Sequence, residues 1–267
     1  MVLSGGIAYA NSEGLLDKIF HNDQKKVPER YVDQEYIEED YANGLKVITN
    51  AKKDKDFVVV TPAMPMSVGL GPEERAQLGS QYIDTGIAEE AAVAIASGIA
   101  RRGAKPLVVT NMTFLQRAYD QISQDVCINK TPVTMLMNYS SFDGLTDVTH
   151  LGIFGLAAFT NIPNLVVLCP SSAEEYISML DWSLDSKQKE NPVLILIPGN
   201  EVSHRPADKD YGVLNRFKIE KQGEKVAIIA LGDFFQKGEA VATAIKEKCG
   251  FTSKPNRYVP RHWRSAA

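Results

Sequence analysis

"IAEEAAVAIASGIARRGAKPLVVTNM", residues 87–112, sets an almost wholly apolar helix directly before a β-branched apolar run. The helix closes at Gly103, with Arg101 and Arg102 in its last turn, where cations complement the helix dipole. The run 106–112 shows no polar alternation, so it predicts a strand buried on both faces. "DFVVVTPAM" (56–64), "PVTMLMNYS" (132–140), "NLVVLCPS" (164–171) and "PVLILIPG" (192–199) read the same way. Helical patterns separate them at 113–130, 149–162 and 172–190, with Ser171 or Ser172 as the N-cap of the last. In the first of these, Phe114, Ala118, Ile122 and Val126 share a face. Apolar strands alternating with helices predict an α/β fold, a parallel sheet covered on both sides over about 42–200.

Around that unit the pattern is weaker. Residues 42–53 read as a short helix and 69–84 as a loop or short helix. Residues 1–41 show no convincing strand and are expected to be a linker or arm, wrapping between domains or partly disordered. Beyond the connector 201–223, "KVAIIALGD" (225–233) predicts a strand and 234–250 a helix. One strand and one helix cannot cover a sheet, so this second α/β unit is expected to be truncated or completed by something else. The division is therefore 1–41, 42–204 and 205–267. The tail from Ser253 carries Lys254, Arg257, Arg261 and Arg264 without an acid: an anion-binding tail or a solvated end.

Composition narrows the class. The chain has 267 residues, 44% hydrophobic and 23% charged, as soluble globular proteins have. A net charge of -4 argues against nucleic acid as a partner. Cys127, Cys169 and Cys249 are too scattered for a disulfide framework or a zinc site, and are expected to be small buried hydrophobes in a reducing cytoplasm. "MVLSGGIAYANSEG" has no secretory pattern, and no apolar run approaches a membrane span.

Parallel sheets take ligands at the carboxyl ends of their strands. The loops there hold Asn111, Thr113, Phe114, Tyr139, Asp143, Asp147 and His150, and Glu89 faces the same edge. Burial beside the apolar helix favours a protonated Glu89, which could share its proton with a ring nitrogen; the alternative is a carboxylate complementing the helix dipole. His150 is placed either for proton transfer or to bond a loop carbonyl. Arg117 and Asp120, at i and i+3, read as a surface ion pair. His21, His204 and His262 have no acidic or cysteine partner at ligand spacing. There is no GxGxxG, Walker or GxSxG motif.

Four strings carry a family resemblance: "TPAM" (61–64), "GIAE" (86–89), "TFLQRAYDQ" (113–121) and "VTHLGIFGL" (148–156). In this order they resemble the pyrimidine-binding module of transketolase-like thiamine-diphosphate enzymes, most nearly the 1-deoxy-D-xylulose-5-phosphate synthases of isoprenoid biosynthesis. The resemblance runs over about 42–250. It implies a cytoplasmic transferase that decarboxylates pyruvate and condenses the product with an aldehyde acceptor. Glu89 then contacts N1' of the cofactor pyrimidine, Phe114 stacks on that ring, and Met64 and Ile87 belong to the same cofactor site. His150 assists proton transfers, and Arg117, Asp147 and His150 face substrate.

The departures are as informative. Glu90 and Ala91 stand where the synthases carry Gln-His, and Asn111 where they carry a tyrosine. Thr146, with Asp147 next, replaces an aspartate, and Tyr139 an arginine; "IPGN" lacks another arginine. Losing two cations weakens a phosphate site, which puts a phosphorylated acceptor in doubt. The family holds the diphosphate and Mg2+ through a GDG motif in a separate domain, and no GDG occurs here. The expectation is a pyrimidine half that works as a homodimer or as a heteromer with a GDG-containing chain. The alternative is a degenerate paralogue serving as a scaffold or regulatory subunit.

Overall fold

The computed structural model describes residues 47, 50–138, 140, 148–150, 152–185, 191–197, 203–207, 211, 217–221, 226–232, 234–250 and 253–258, with backbone alone at 148, 217–219 and 253–258. The expectations for 1–41, Tyr139, Asp143, Thr146, Asp147 and the end of the tail lie outside them.

Six strands form one parallel sheet: β1 (Phe57–Thr61), β2 (Tyr82–Asp84), β3 (Lys105–Asn111), β4 (Thr134–Asn138), β5 (Val166–Leu168) and β6 (Val193–Leu196). Their order is β2-β1-β3-β4-β6-β5. The helices are α1 (Pro72–Leu78), α2 (Glu89–Arg101), α3 (112–128), α4 (Gly155–Phe159) and α5 (Ala173–Leu184). β2 was not among the expected strands. It lies at the sheet edge, has only three residues and ends on Asp84, too short for a period-2 pattern. The helix expected over 149–162 is reduced to a 3-10 turn at Val148–His150 and the five-residue α4.

Side chains alternate between the two faces as the strand period demands. Val60, Val108, Met135 and Met137 pack with Ala92, Val93, Ala96, Leu115, Ile122 and Phe159 from α2, α3 and α4. Val59, Leu107, Val109 and Leu136 pack on the other face with Tyr176, Met179 and Leu180 of α5. Each fully buried aliphatic contributes about 1.5–3 kcal/mol. The sheet is thus anchored from both sides, and its strand ends form a fixed platform. Of the cysteines, Cys127 and Cys169 are buried, but Cys249, at the polar end of its helix, is exposed. Burial pushes the Cys127 thiol up to about 12.

The second sheet, ordered β7-β9-β8, contains β7 (Phe217–Ile219), β8 (Val226–Ala230) and β9 (Ser253–Tyr258), with α6 (Phe234–Cys249) packed on it. β9 runs parallel to β8 and antiparallel to β7. Reading the tail as a free end therefore fails for 253–258. "SKPNRY" has no apolar alternation, and Pro255 has no N–H to give, so the pattern conceals a strand held by its neighbours.

Residues His204 and Arg205 of the connector are held to α5 and to α6. Ser172 caps α5 by accepting from the Glu175 N–H (3.2 Å), and Glu175 Oε2 accepts in turn from Ser171 N–H and Oγ (2.9 Å each). Glu174 accepts from Arg205 N–H (3.0 Å) and pairs with His204 Nδ1 (2.8 Å), the acidic partner that sequence spacing did not show. The Arg205 guanidinium lies 3.7 Å from the Phe235 ring centroid and 3.5 Å from Glu220.

The Arg205 N–H and then His204 hold the Glu174 carboxyl down to about 2 from an ordinary 4.5. A depressed carboxyl contributes stability that is present above its ordinary value and lost as pH falls through the folded one. The clasp therefore loosens between pH 4.5 and about 2. The Arg205 amide resonance is expected to titrate with its midpoint at about 2 and to stay flat in Glu174→Gln.

Candidate functional site

The strand order reverses at β1. The chain moves outward from β1 to β2, then returns to place β3 on the other side of β1. A crevice beyond the carboxyl ends of two such strands is where open parallel sheets bind ligands.

The loop after β1 is tightly tied. Thr61 Oγ1 accepts from Met64 N–H (3.1 Å), and Met64 O accepts from Ser67 Oγ (2.7 Å). Ala63 sits at φ 58, in the left-handed region that a residue with Cβ adopts at a cost. Asp84 holds that conformation by accepting from both Ala63 N–H (3.0 Å) and Gly86 N–H (2.9 Å). It thereby fastens the β1 loop to the β2 loop. Asn138 adds a third tie, its amide donating to Ser67 O. Neither residue was singled out from the sequence, although an aspartate two residues before a glycine is a signal for such a turn.

The β2 loop delivers Ile87 and Glu89. Ile87 is 69% exposed, whereas Glu89, in the first turn of α2, is only 2% exposed. α3 delivers the next groups. Asn111 leads into it without a side-chain cap, Phe114 follows in an α turn and Arg117 in a 3-10 turn. The helix ends as a π segment, Ile122–Ile128, whose wider register frees Asp125 O to accept from Ser97 Oγ of α2 (2.8 Å). The buried face expected of it holds at Ala118, Ile122 and Val126, while Phe114 turns half out.

Two contacts define the site. Arg117 Nη1 donates to Glu89 Oε2 at 3.2 Å, with side-chain exposures of 50% and 3%. This corrects the expected Arg117–Asp120 pair: Arg117, in a 3-10 turn, pairs with Glu89 of α2. It also alters the environment expected for Glu89. The buried carboxylate has a cation within hydrogen-bond distance, a partner that the apolar helix did not suggest. The second contact is Phe114 against His150, a T-shaped pair with ring centroids 5.2 Å apart and 85° between planes. Thr149 positions both sides: its Oγ1 lies 2.8 Å from His150 Nδ1, and its carbonyl accepts from Thr113 Oγ1 (3.2 Å). Through Phe114 and Arg117, one short helix joins the carboxylate to the imidazole. Met64, half-buried, stands at the β1 end of the crevice.

α4 supports this helix from behind. A Cβ at Gly155 would run into Cγ and Sδ of Met112, which is fully buried. Gly155→Ala is expected to cost about 1–3 kcal/mol in urea unfolding, as overpacking does. A loss below about 0.5 kcal/mol would show that Met112 yields freely.

A buried carboxylate and a half-buried aromatic ring on the adjoining helix suit a flat heterocycle with a basic nitrogen. The described residues contain no group of three or more His, Cys, Asp or Glu able to hold a metal, and no helix among them is long and apolar enough to cross a membrane. A cleft of about 280 Å3, lined by Ala100, Pro106, Thr134 and Leu184, opens at the opposite, amino-terminal edge of the sheet, away from these groups.

Residues 39–203 match the family model for the transketolase pyrimidine-binding domain. The chain belongs to this family. Among curated relatives it is 36% identical over 209 residues to the 1-deoxy-D-xylulose-5-phosphate synthase of Clostridium perfringens, covering 77% of this chain and 33% of that protein. The Clostridium botulinum synthase is 34% identical over 231 residues, covering 85% and 36%. The chain thus spans about a third of the length of these relatives. A solved structure described as a split gene transketolase, inactive beta4 tetramer, has a TM-score of 0.67 at 21% identity and covers 84% of this chain and 71% of that one. A Pichia stipitis transketolase complexed with sedoheptulose-7-phosphate has a TM-score of 0.71 at 16% identity, covering 84% and 34%. These last two likenesses concern the fold: the six-stranded parallel sheet is that of the transketolase pyrimidine-binding domain.

Proposed function

We propose that this chain is the pyrimidine half of a thiamine-diphosphate-dependent transferase of the 1-deoxy-D-xylulose-5-phosphate synthase type. The observation that carries the proposal is Glu89, a buried carboxylate at the mouth of α2, with Phe114 and Arg117 on the adjoining helix. Bound thiamine diphosphate would supply a nucleophilic carbon for attack on a 2-oxo acid such as pyruvate.

The protein's own groups orient and protonate. Glu89 would accept a hydrogen bond from a ring nitrogen of the bound cofactor and favour a proton there. Phe114 offers a flat face to that ring, and Met64 and Ile87 give it apolar edges. His150, kept in place by Thr149, gives or takes a proton at a substrate oxygen. Arg117 would contact the substrate, and the resemblance gives Asp147 the same role. Two family cations are missing at Tyr139 and in "IPGN", which favours an uncharged acceptor over a phosphorylated one.

The domain division at 204/205 belongs to the same proposal, with 205–267 as the start of the family's C-terminal domain. So does a partner. α2 turns Ala91, Ala94, Ile95 and Gly98 outward, an apolar row at helical spacing that begins two residues after Glu89. A second copy, or a chain carrying the GDG motif and its Mg2+, would cover this row and complete the site. The structural relative described as a split gene product and an inactive tetramer supports such a division of labour.

The test is proton exchange at the thiazolium C2, followed with the full chain, a GDG-containing chain and their mixture. The proposal expects exchange to rise above the buffer rate in the mixture alone. A mixture that binds thiamine diphosphate without exchange would favour the second reading, a scaffold paralogue, for which the changed Asn111 and Tyr139 positions speak.

A further inference from the structure

We propose that Glu89 and Arg117 form an exchangeable pair, in which a cationic ring taking Glu89 releases Arg117 to bind the carboxylate of a 2-oxo acid. The ring contact rests on the function proposed above; the anion contact does not. Glu89 is only 2% exposed, and a buried carboxylate needs a compensating cation. Arg117 now provides it through Nη1 at 3.2 Å. Its side chain is nevertheless 50% exposed, and this pair uses one of the five N–H donors a guanidinium carries.

Two cations on one buried carboxylate repel each other across a medium of low dielectric. A protonated ring nitrogen at Glu89 therefore weakens the hold on Arg117. The freed guanidinium is a planar, permanently charged donor set, matched to a second carboxylate in bidentate fashion. Because both ligands bias the same pair, each tightens the other by an equal factor. Arg117 is thus a positioning residue for cofactor entry and a contact for substrate, and the oxo acid binds preferentially once the ring is in place.

The experiment titrates sodium pyruvate into the full chain by NMR, reading the pyruvate methyl signal and the Arg117 guanidinium 15N resonance. Glu89→Gln mimics release by removing the carboxylate charge without changing its size. It is expected to bind pyruvate about fivefold or more tightly than the unsubstituted chain. The gain is expected to vanish in Glu89→Gln/Arg117→Met. Equal affinities, or a gain that survives loss of Arg117, overturn the exchange.

A second arm adds thiamine to the unsubstituted chain, where no variant has to fold. Thiamine is expected to shift the Arg117 resonance and tighten pyruvate in the same sense. If thiamine changes nothing while Glu89→Gln still gains, the exchange stands and the ring assignment fails. If thiamine binds and pyruvate responds to neither change, the exchange fails and the ring assignment stands.

Discussion

Replacing Glu89 by Gln lowers proton exchange at the thiazolium C2 by about 10²–10⁴-fold in the complex of this chain with a diphosphate-binding partner, the range by which one positioned acid or base acts. The physical reason is local. Glu89 is 2% exposed, so water cannot take over its contact with the ring nitrogen. Gln offers the same shape and one carbonyl oxygen, but no charge to hold a proton opposite it. Affinity for the cofactor falls far less, because Phe114 and the apolar edges are unchanged. A measured split of this kind, exchange lost and binding kept, separates a proton-holding role from a packing role. Exchange in Glu89→Gln within tenfold of the parent would remove Glu89 from the chemistry.

Arg117→Met carries the second large effect, on stability. Removing one partner of a buried pair costs about 3–5 kcal/mol, because a charge is left without compensation. Here the guanidinium is half exposed and water screens part of the interaction, so the expected loss is about 1–3 kcal/mol in urea unfolding. Glu89→Gln/Arg117→Met is expected to recover most of it, since neither charge then remains. The double-mutant cycle isolates the pair itself. A strictly additive cycle would mean that Arg117 contributes packing and that Glu89 is compensated elsewhere.

The architecture was largely legible because burial writes itself into composition. Val58, Val59 and Val60 of β1, and Leu107, Val108 and Val109 of β3, are apolar whichever face they meet, which marks a parallel sheet with helices on both sides. The elements that escaped are those whose stability comes from neighbours. β2 has three residues and depends on β1, and β9 is polar and held between β7 and β8. Within the site, the boundary of α2 and its buried Glu89 followed from the apolar run and from the motif "GIAE". The partner of Arg117 did not. Asp120 is three residues away, whereas Glu89 lies 28 residues upstream on another helix, a pairing that local spacing does not reach. The Asp84–Gly86 spacing signals a turn, but the ties from Asp84 to Ala63 and from Asn138 to Ser67 cross between loops, which no local pattern displays.

The central claim is that the buried carboxylate of Glu89 meets the pyrimidine ring nitrogen. The most direct measurement is the 15N resonance of N1' in labelled thiamine diphosphate, bound to the complex of a partner chain with either the unsubstituted protein or Glu89→Gln. The account predicts a large shift toward the protonated ring in the first and a position close to free cofactor in the second. The same N1' position in both complexes would contradict it.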